Sequence, residues 1–271
     1  MLVHIIADYG YGDLAFAEVV QRLKLHLPEA EPLLTPVPAF STLAAGFCIA
    51  QLGLNESPTG TIIYHNVAPR LDDSQARIDN AGERLAFARL PTGVRVIGVN
   101  AGYTFAFVRD VAEELRWTAA ATAGSQFRSR DLFLPVLSAI VQRDPAALGD
   151  EISQGDIPEI PLDRIAYCDG YGNLKTTISA RSFMIQSGTQ LWVRIGEKEH
   201  LAIVTDKSFA VAPGQLAFAQ GSSGWKTKDG EETQWMELFL RGGSASAAFH
   251  YPQVGSNIHL SSHKTMSDRI P

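Results

Sequence analysis

The run L-V-H-I-I-A at residues 2–7 gives way abruptly to polar Asp8 and to glycines at 10 and 12, the pattern of a buried strand that ends in a loop. From residue 14 to 27 the apolar positions Phe16, Val19, Val20, Leu23 and Leu27 recur at spacings of three and four, which predicts a helix packed back on that strand, with Asp13 as its N-cap. A strand over 32–37 and a helix over 42–52, capped by Ser41, repeat the unit. Further apolar runs predict strands at 61–64, 85–88, 94–99 and 104–108, then helices at 110–117 and 130–142. This alternation predicts an α/β N-terminal domain with a mostly parallel sheet flanked by helices.

Beyond the proline- and acid-rich stretch D-I-P-E-I-P-L the pattern changes. Short apolar runs at 165–169, 191–195, 201–204, 216–219, 236–240 and 257–260 are separated by glycine turns and show little helical period. They predict a C-terminal all-β barrel domain, so the expected division is 1–160 and 161–271, with a mobile C-terminal tail from residue 261.

Composition narrows the function. A chain of 271 residues with 45% hydrophobic content can bury two cores, and a net charge of -6 without a basic run argues against nucleic acid as a partner. Cys48 and Cys168 are far apart and lack metal-ligand spacing, which suits packing in a reducing compartment. No basic region precedes the first apolar run and no run approaches the length of a membrane span, so a soluble cytoplasmic protein without membrane partners is expected.

Four places carry candidate chemistry. Asp8 stands where a strand ends, the usual place for ligands in open sheets, and its carboxylate suits either a ribose diol or a helix-capping turn. The G-x-G at Gly10 and Gly12 lacks the third glycine of a dinucleotide fingerprint. In C-D-G-Y-G-N-L-K-T-T, residues 168–177, Asp169 can hold an ammonium group and Asn173 can pair with a purine edge, although the same residues make a plain hairpin turn. In S-Q-F-R-S-R-D-L-F, residues 125–133, Arg128 and Arg130 either snorkel to solvent or face a pocket, and Ser129 offers a hydroxyl to a small anion. His65 precedes Arg70, Asp72 and Asp73 and reads as a general base or as a loop residue. No Ser-His-Asp grouping, phosphate loop or metal constellation is visible.

In order, these segments resemble the S-adenosylmethionine hydroxide adenosyltransferases and the related fluorinases and chlorinases. I-I-A-D-Y-G-Y-G-D resembles the family's T-D-F-G strand end, F-R-S-R-D-L-F-L-P-V its F-H-G-R-D-I-F-A-P-V, D-G-Y-G-N-L-K-T-T its D-x-F-G-N-L-x-T-N, and Q-G-S-S-G-W its N-S-x-G. The resemblance implies a homotrimer that binds S-adenosylmethionine as substrate, with no cofactor and no metal, between the N-terminal domain of one subunit and the barrel of the next. It implies that Asp8 holds the ribose, Asp169 the methionine amino group and Asn173 the adenine. Ser222 or Ser223 would meet the methionine carboxylate, Phe209 the nucleoside, and the backbone near Ala245 the adenine. The implied reaction is displacement of L-methionine at the ribose C5′ by hydroxide, giving adenosine.

The catalytic Asp-Arg-His set of the family is altered. Arg128 stands at the position of its His, His65 at that of its Asp, and V-N-A-G-Y, with Asn100 as a substrate-binding candidate, replaces its P-D-N-G. Three expectations follow: a hydrolase in which His65 and Arg128 exchange roles beside Ser129, a halide-using enzyme with Ser129 at the position of the fluorinase serine, or a non-catalytic nucleoside-binding homologue.

Overall fold

The structure is a computed structural model that describes residues 1–69, 81–227 and 229–263. The chain divides after Glu159 into two compact units, each built on a mixed seven-stranded sheet with few helices.

The first unit contains β1 (Leu2–Ala7), α1 (Leu14–His26), β2 (Glu31–Pro36), α2 (Thr42–Gly53), β3 (Ile62–Asn66), β4 (Leu85–Arg89), β5 (Arg95–Val99), β6 (Glu114–Thr118), α3 (Arg128–Asp131), α4 (Phe133–Val141) and β7 (Leu148–Glu151). Its strand order is β2-β1-β3-β5-β4-β6-β7. The pairings β1·β2, β1·β3 and β3·β5 are parallel, whereas β4·β5, β4·β6 and β6·β7 are antiparallel. The sheet is therefore mixed, and the parallel strands form only one half of it.

Asp13 and Ser41 cap α1 and α2, accepting from the backbone N–H of Ala15 and Ala44. Phe16, Val19 and Leu23 of α1 and Phe133, Leu134 and Leu137 of α4 pack on the face carrying Val3, Ile5 and Tyr64. Full burial of such side chains stabilises the fold by about 1.5–3 kcal/mol each. Almost every residue of α2 is buried, including Cys48, whose thiol pKa burial pushes up to about 12 and so keeps it unreactive.

Two sequence expectations fail here. Residues 110–117 were expected to be helical, but Glu114–Thr118 form β6, held between β4 and β7, because ladder pairing outweighs the helix propensity of A-E-E-L. Residues 104–108 were expected to be a strand and instead form consecutive turns, with Phe105 and Phe107 buried as packing groups.

The second unit contains β8 (Ile165–Cys168), β9 (Leu174–Ser179), β10 (Gln190–Ile195), β11 (Lys198–Thr205), β12 (Leu216–Lys226), β13 (Glu232–Leu240), α5 (Ala245–Ala248) and β14 (Ile258–Ser261), in the order β14-β10-β11-β12-β13-β9-β8. It curls into a half-barrel. The two edge strands meet at one end, where Ile165 N–H donates to Ser256 C=O at 3.0 Å and Ile258 N–H donates to Asp163 C=O at 2.9 Å. Phe218, Leu238 and Val193 fill the inside. The expected tail begins within β14, and residues 264–271 lie outside the described residues. No helix among the described residues is long and apolar enough to cross a membrane.

Candidate functional site

The carboxyl ends of β1, β3 and β5 lie along one edge of the parallel half-sheet, where open sheets bind ligands. A cleft of about 420 Å³ opens there, lined among others by Asp8, Tyr9, Asn66, Glu83, Arg128 and Ser129. Asp8 follows the last residue of β1, and its Oδ2 accepts the backbone N–H of Phe40 at 2.9 Å. Phe40 sits at φ 61°, a left-handed conformation that is strained for a bulky residue, so the carboxylate ties a held loop to the mouth of the cleft.

Three hydroxyl groups meet on the next wall. Tyr9 Oη and Ser129 Oγ share a hydrogen bond of 2.6 Å, and Tyr64 Oη donates to Ser129 C=O at 2.6 Å. Tyr64 is wholly buried, and burial above all, with Tyr9 nearby, pushes its phenol pKa well up. Tyr9 is held edge-on between Phe16 and Phe127. Ser129 is therefore fixed from both its side chain and its backbone.

The two arginines separate in role. Arg128 Nη1 donates to Glu83 C=O at 3.0 Å and to Thr122 C=O at 3.1 Å, its Nη2 lies 3.6 Å from Glu83 Oε2, and the guanidinium sits 5.5 Å from the centre of the Phe133 ring. Arg130 makes paired bonds to Asp131, 2.7 Å from Nε to Oδ1 and 3.0 Å from Nη2 to Oδ2, and another to Glu18. Asp131 also accepts from Ser125 Oγ at 2.6 Å, and these bonds, those from Arg130 first, hold its carboxyl pKa down. Arg130 and Asp131 thus brace the start of α3.

His65 is not brought to this group. Strand alternation turns Tyr64 towards the face of α1 and α4 and His65 towards the other face, where its ring packs 5.3 Å from that of Phe105 and against Gly98. It is fully buried, neither ring nitrogen has a hydrogen-bond partner among the described residues, and desolvation lowers its pKa to about 3. A ring so placed can neither reach Arg128 nor serve as a base in the cleft. Asn100 also lies outside the cleft lining, just past β5, with its backbone N–H bonded to Arg84 C=O at 3.0 Å. Arg70, Asp72 and Asp73 lie outside the described residues.

In the second unit the D-G-Y-G-N turn joins β8 to β9. Asp169 Oδ1 accepts from the N–H groups of Tyr171 and Asn173 at 3.0 and 2.9 Å, and Oδ2 accepts from Asn173 Nδ2 at 2.9 Å. The turn also touches α5, since Ser246 N–H donates to Gly172 C=O at 2.8 Å, which brings Asp169, Asn173 and Ala245 into one region. Ser222 is exposed and Ser223 buried on β12, the strand beside β13. Phe209 is 71% exposed and contacts Phe239 edge-on.

No protein-family model and no curated protein matches the chain. Among solved structures, a conserved uncharacterized protein of Thermotoga maritima is similar at 19% identity with a TM-score of 0.73, over 96% of this chain and 100% of that one. A conserved hypothetical protein of Thermus thermophilus is similar at 18% identity with a TM-score of 0.62, over 96% and 99%. At such identity the likeness establishes a shared fold.

Sequence reasoning missed Tyr9, Asn66 and Glu83 in the cleft, and Lys175 and Glu237 in the second unit. The last two had a readable signal, because each is a lone charge inside an apolar strand, in L-K-T-T-I and M-E-L-F-L. No cluster of three or more metal-ligating side chains occurs among the described residues.

Proposed function

We propose that the chain binds the nucleoside part of an adenosyl compound, in the manner of the S-adenosylmethionine hydroxide adenosyltransferases that its motifs resemble. The observation that carries this reading is the Asp8 carboxylate at the mouth of the cleft, past the end of a parallel strand. A carboxylate there can accept from both hydroxyls of a ribose. The α/β nucleoside-binding half, the barrel half and the assembly of three copies belong to the same reading.

Binding without turnover leads because Arg128 is engaged by Glu83 and Thr122, and because His65 faces away from the cleft. One observation favours a second reading, turnover. The Tyr9–Ser129 hydroxyl pair lines the cleft and can orient a nucleophile at C5′. Hydroxide would then form the new C5′–O bond while the C5′–S bond breaks and methionine leaves as a neutral sulfide, giving adenosine. Halide in place of hydroxide would give a 5′-halo-adenosine.

One set of experiments separates these readings: calorimetric titration with adenosine and with S-adenosylmethionine, then incubation with S-adenosylmethionine with and without chloride or fluoride, followed by chromatography. Binding without product is the expected result. Adenosine would support hydrolysis and 5′-halo-adenosine the halide reaction. Absence of both binding and product would overturn the nucleoside reading.

A further inference from the structure

The cleft lies wholly within the first unit, and its charges are unevenly engaged. Among the described residues that line it, two carboxylates, Asp8 and Glu83, stand against one guanidinium, that of Arg128. Arg128 is already committed to Glu83 C=O and Thr122 C=O, with Nη2 3.6 Å from Glu83 Oε2. Both side chains of that pair are largely buried, so salt and solvent screen it little. Asp8 is left as the uncompensated charge, with Oδ2 on the Phe40 N–H. The described wall is therefore negative overall, and its guanidinium is spent within the protein. The other polar groups there are neutral. Ser129 Oγ is bonded to Tyr9 Oη at 2.6 Å, and a hydroxyl, with one donor and two acceptor positions, keeps capacity for a further bond. Asn66 ends β3 and shares a strand face with Tyr64, whose Oη reaches Ser129 C=O. Its amide lines the cleft, makes no hydrogen bond among the described residues, and offers both a donor and an acceptor.

We infer that the cleft selects nucleosides whose 5′ oxygen is an uncharged hydroxyl, read by Asn66 and Ser129, and excludes nucleoside 5′-phosphates. The inference rests on the nucleoside reading above. With the ribose diol at Asp8, the 5′ oxygen is the remaining hydroxyl of the sugar, and Tyr9, the next residue in the chain, begins the hydroxyl pair. A 5′-hydroxyl can donate to Asn66 Oδ1 and accept from Ser129 Oγ, so a neutral donor and acceptor meet neutral partners. A 5′-phosphate brings about two negative charges beside Asp8 and Glu83. The guanidinium that would receive it is held by Glu83 and Thr122, which leaves its lost hydration uncompensated.

The test is calorimetric titration of the full chain with adenosine, 5′-deoxyadenosine and adenosine 5′-monophosphate. The native protein is expected to bind adenosine about tenfold or more tighter than either of the others. Glu83→Gln removes one negative charge and keeps the backbone carbonyl that Arg128 grips, so affinity for the monophosphate should rise about tenfold. A gain of this kind cannot come from damage to the fold. Asn66→Ala should bring adenosine down towards the level of 5′-deoxyadenosine. Native protein that binds the monophosphate or 5′-deoxyadenosine as tightly as adenosine overturns the inference without any variant. So does a folded Glu83→Gln protein whose rejection of the monophosphate is unchanged, or a folded Asn66→Ala protein that keeps the full preference for the 5′-hydroxyl. Those outcomes sink this inference alone, whereas no nucleoside binding at all sinks it together with the nucleoside reading.

Discussion

Arg128 grips Glu83 twice, with Nη1 on its carbonyl oxygen at 3.0 Å and Nη2 3.6 Å from its carboxylate. The guanidinium lies so close to Gly82 that a methyl carbon there would overlap it, and Nη1 also reaches Thr122 C=O, which accepts the Gly82 N–H at 3.1 Å. Arg128 is therefore a clamp between the approach to β4 and the segment before α3. Its charge works within the protein, which is why a cation is tolerated at a helix start.

Arg128→Gln should lose about 2 kcal/mol of stability in urea unfolding, the cost of giving up charge-assisted bonds to two carbonyl groups. A loss below about 0.5 kcal/mol would place Arg128 with ordinary surface arginines.

His65 predicts a pH dependence. Its pKa falls from 6.5 to about 3 on burial, so below pH 6.5 the unfolded chain takes up a proton that the folded chain refuses. Stability from this group is fully present above pH 6.5 and declines by about 1.4 kcal/mol per unit as pH falls towards 3. His65→Phe should flatten that part of the curve of urea midpoint against pH. Identical slopes in both proteins would show that the histidine ionises freely.

Gly98→Ala should destabilise by about 1–3 kcal/mol, because the added carbon falls within the His65 ring and neither the ring nor the strand can move far in a packed core. Adding His65→Val should recover part of the loss, and strict additivity of the two changes would rule out the contact as the cause.

Asp8→Ala should abolish adenosine binding in calorimetry, and retained affinity would refute the ribose role. Asp8→Asn keeps an acceptor for the Phe40 N–H and so preserves the loop. It removes the charge, and binding should weaken by about tenfold or more.

Local pattern made much of this protein readable. The apolar run at 2–7, the three-and-four spacing after Asp13, and the Gly- and Asn-rich turn at 169–173 specify β1, α1 and the β8–β9 hairpin through short-range sterics and capping. Strand direction was not readable. β4 carries the same kind of apolar run as its parallel neighbours and β6 reads as part of a helix, and only their place beside β5 and β7 makes half the sheet antiparallel.

The candidate site divides along the same line. Asp8, Asp169 and Asn173 follow from strand ends and turns, where a few adjacent residues determine the geometry. The role of Arg128 and the isolation of His65 do not, because they depend on which elements lie against them. Alternation dictates that Tyr64 and His65 point to opposite faces, but only the packed sheet decides that one face holds Ser129 and the other Phe105. The pairing of Lys175 with Glu237, 62 residues apart, depends likewise on the register of β9 against β13. Short-range rules act on neighbours in the chain, whereas charge pairing and burial act on neighbours in space, and the tertiary fold alone decides which residues those are.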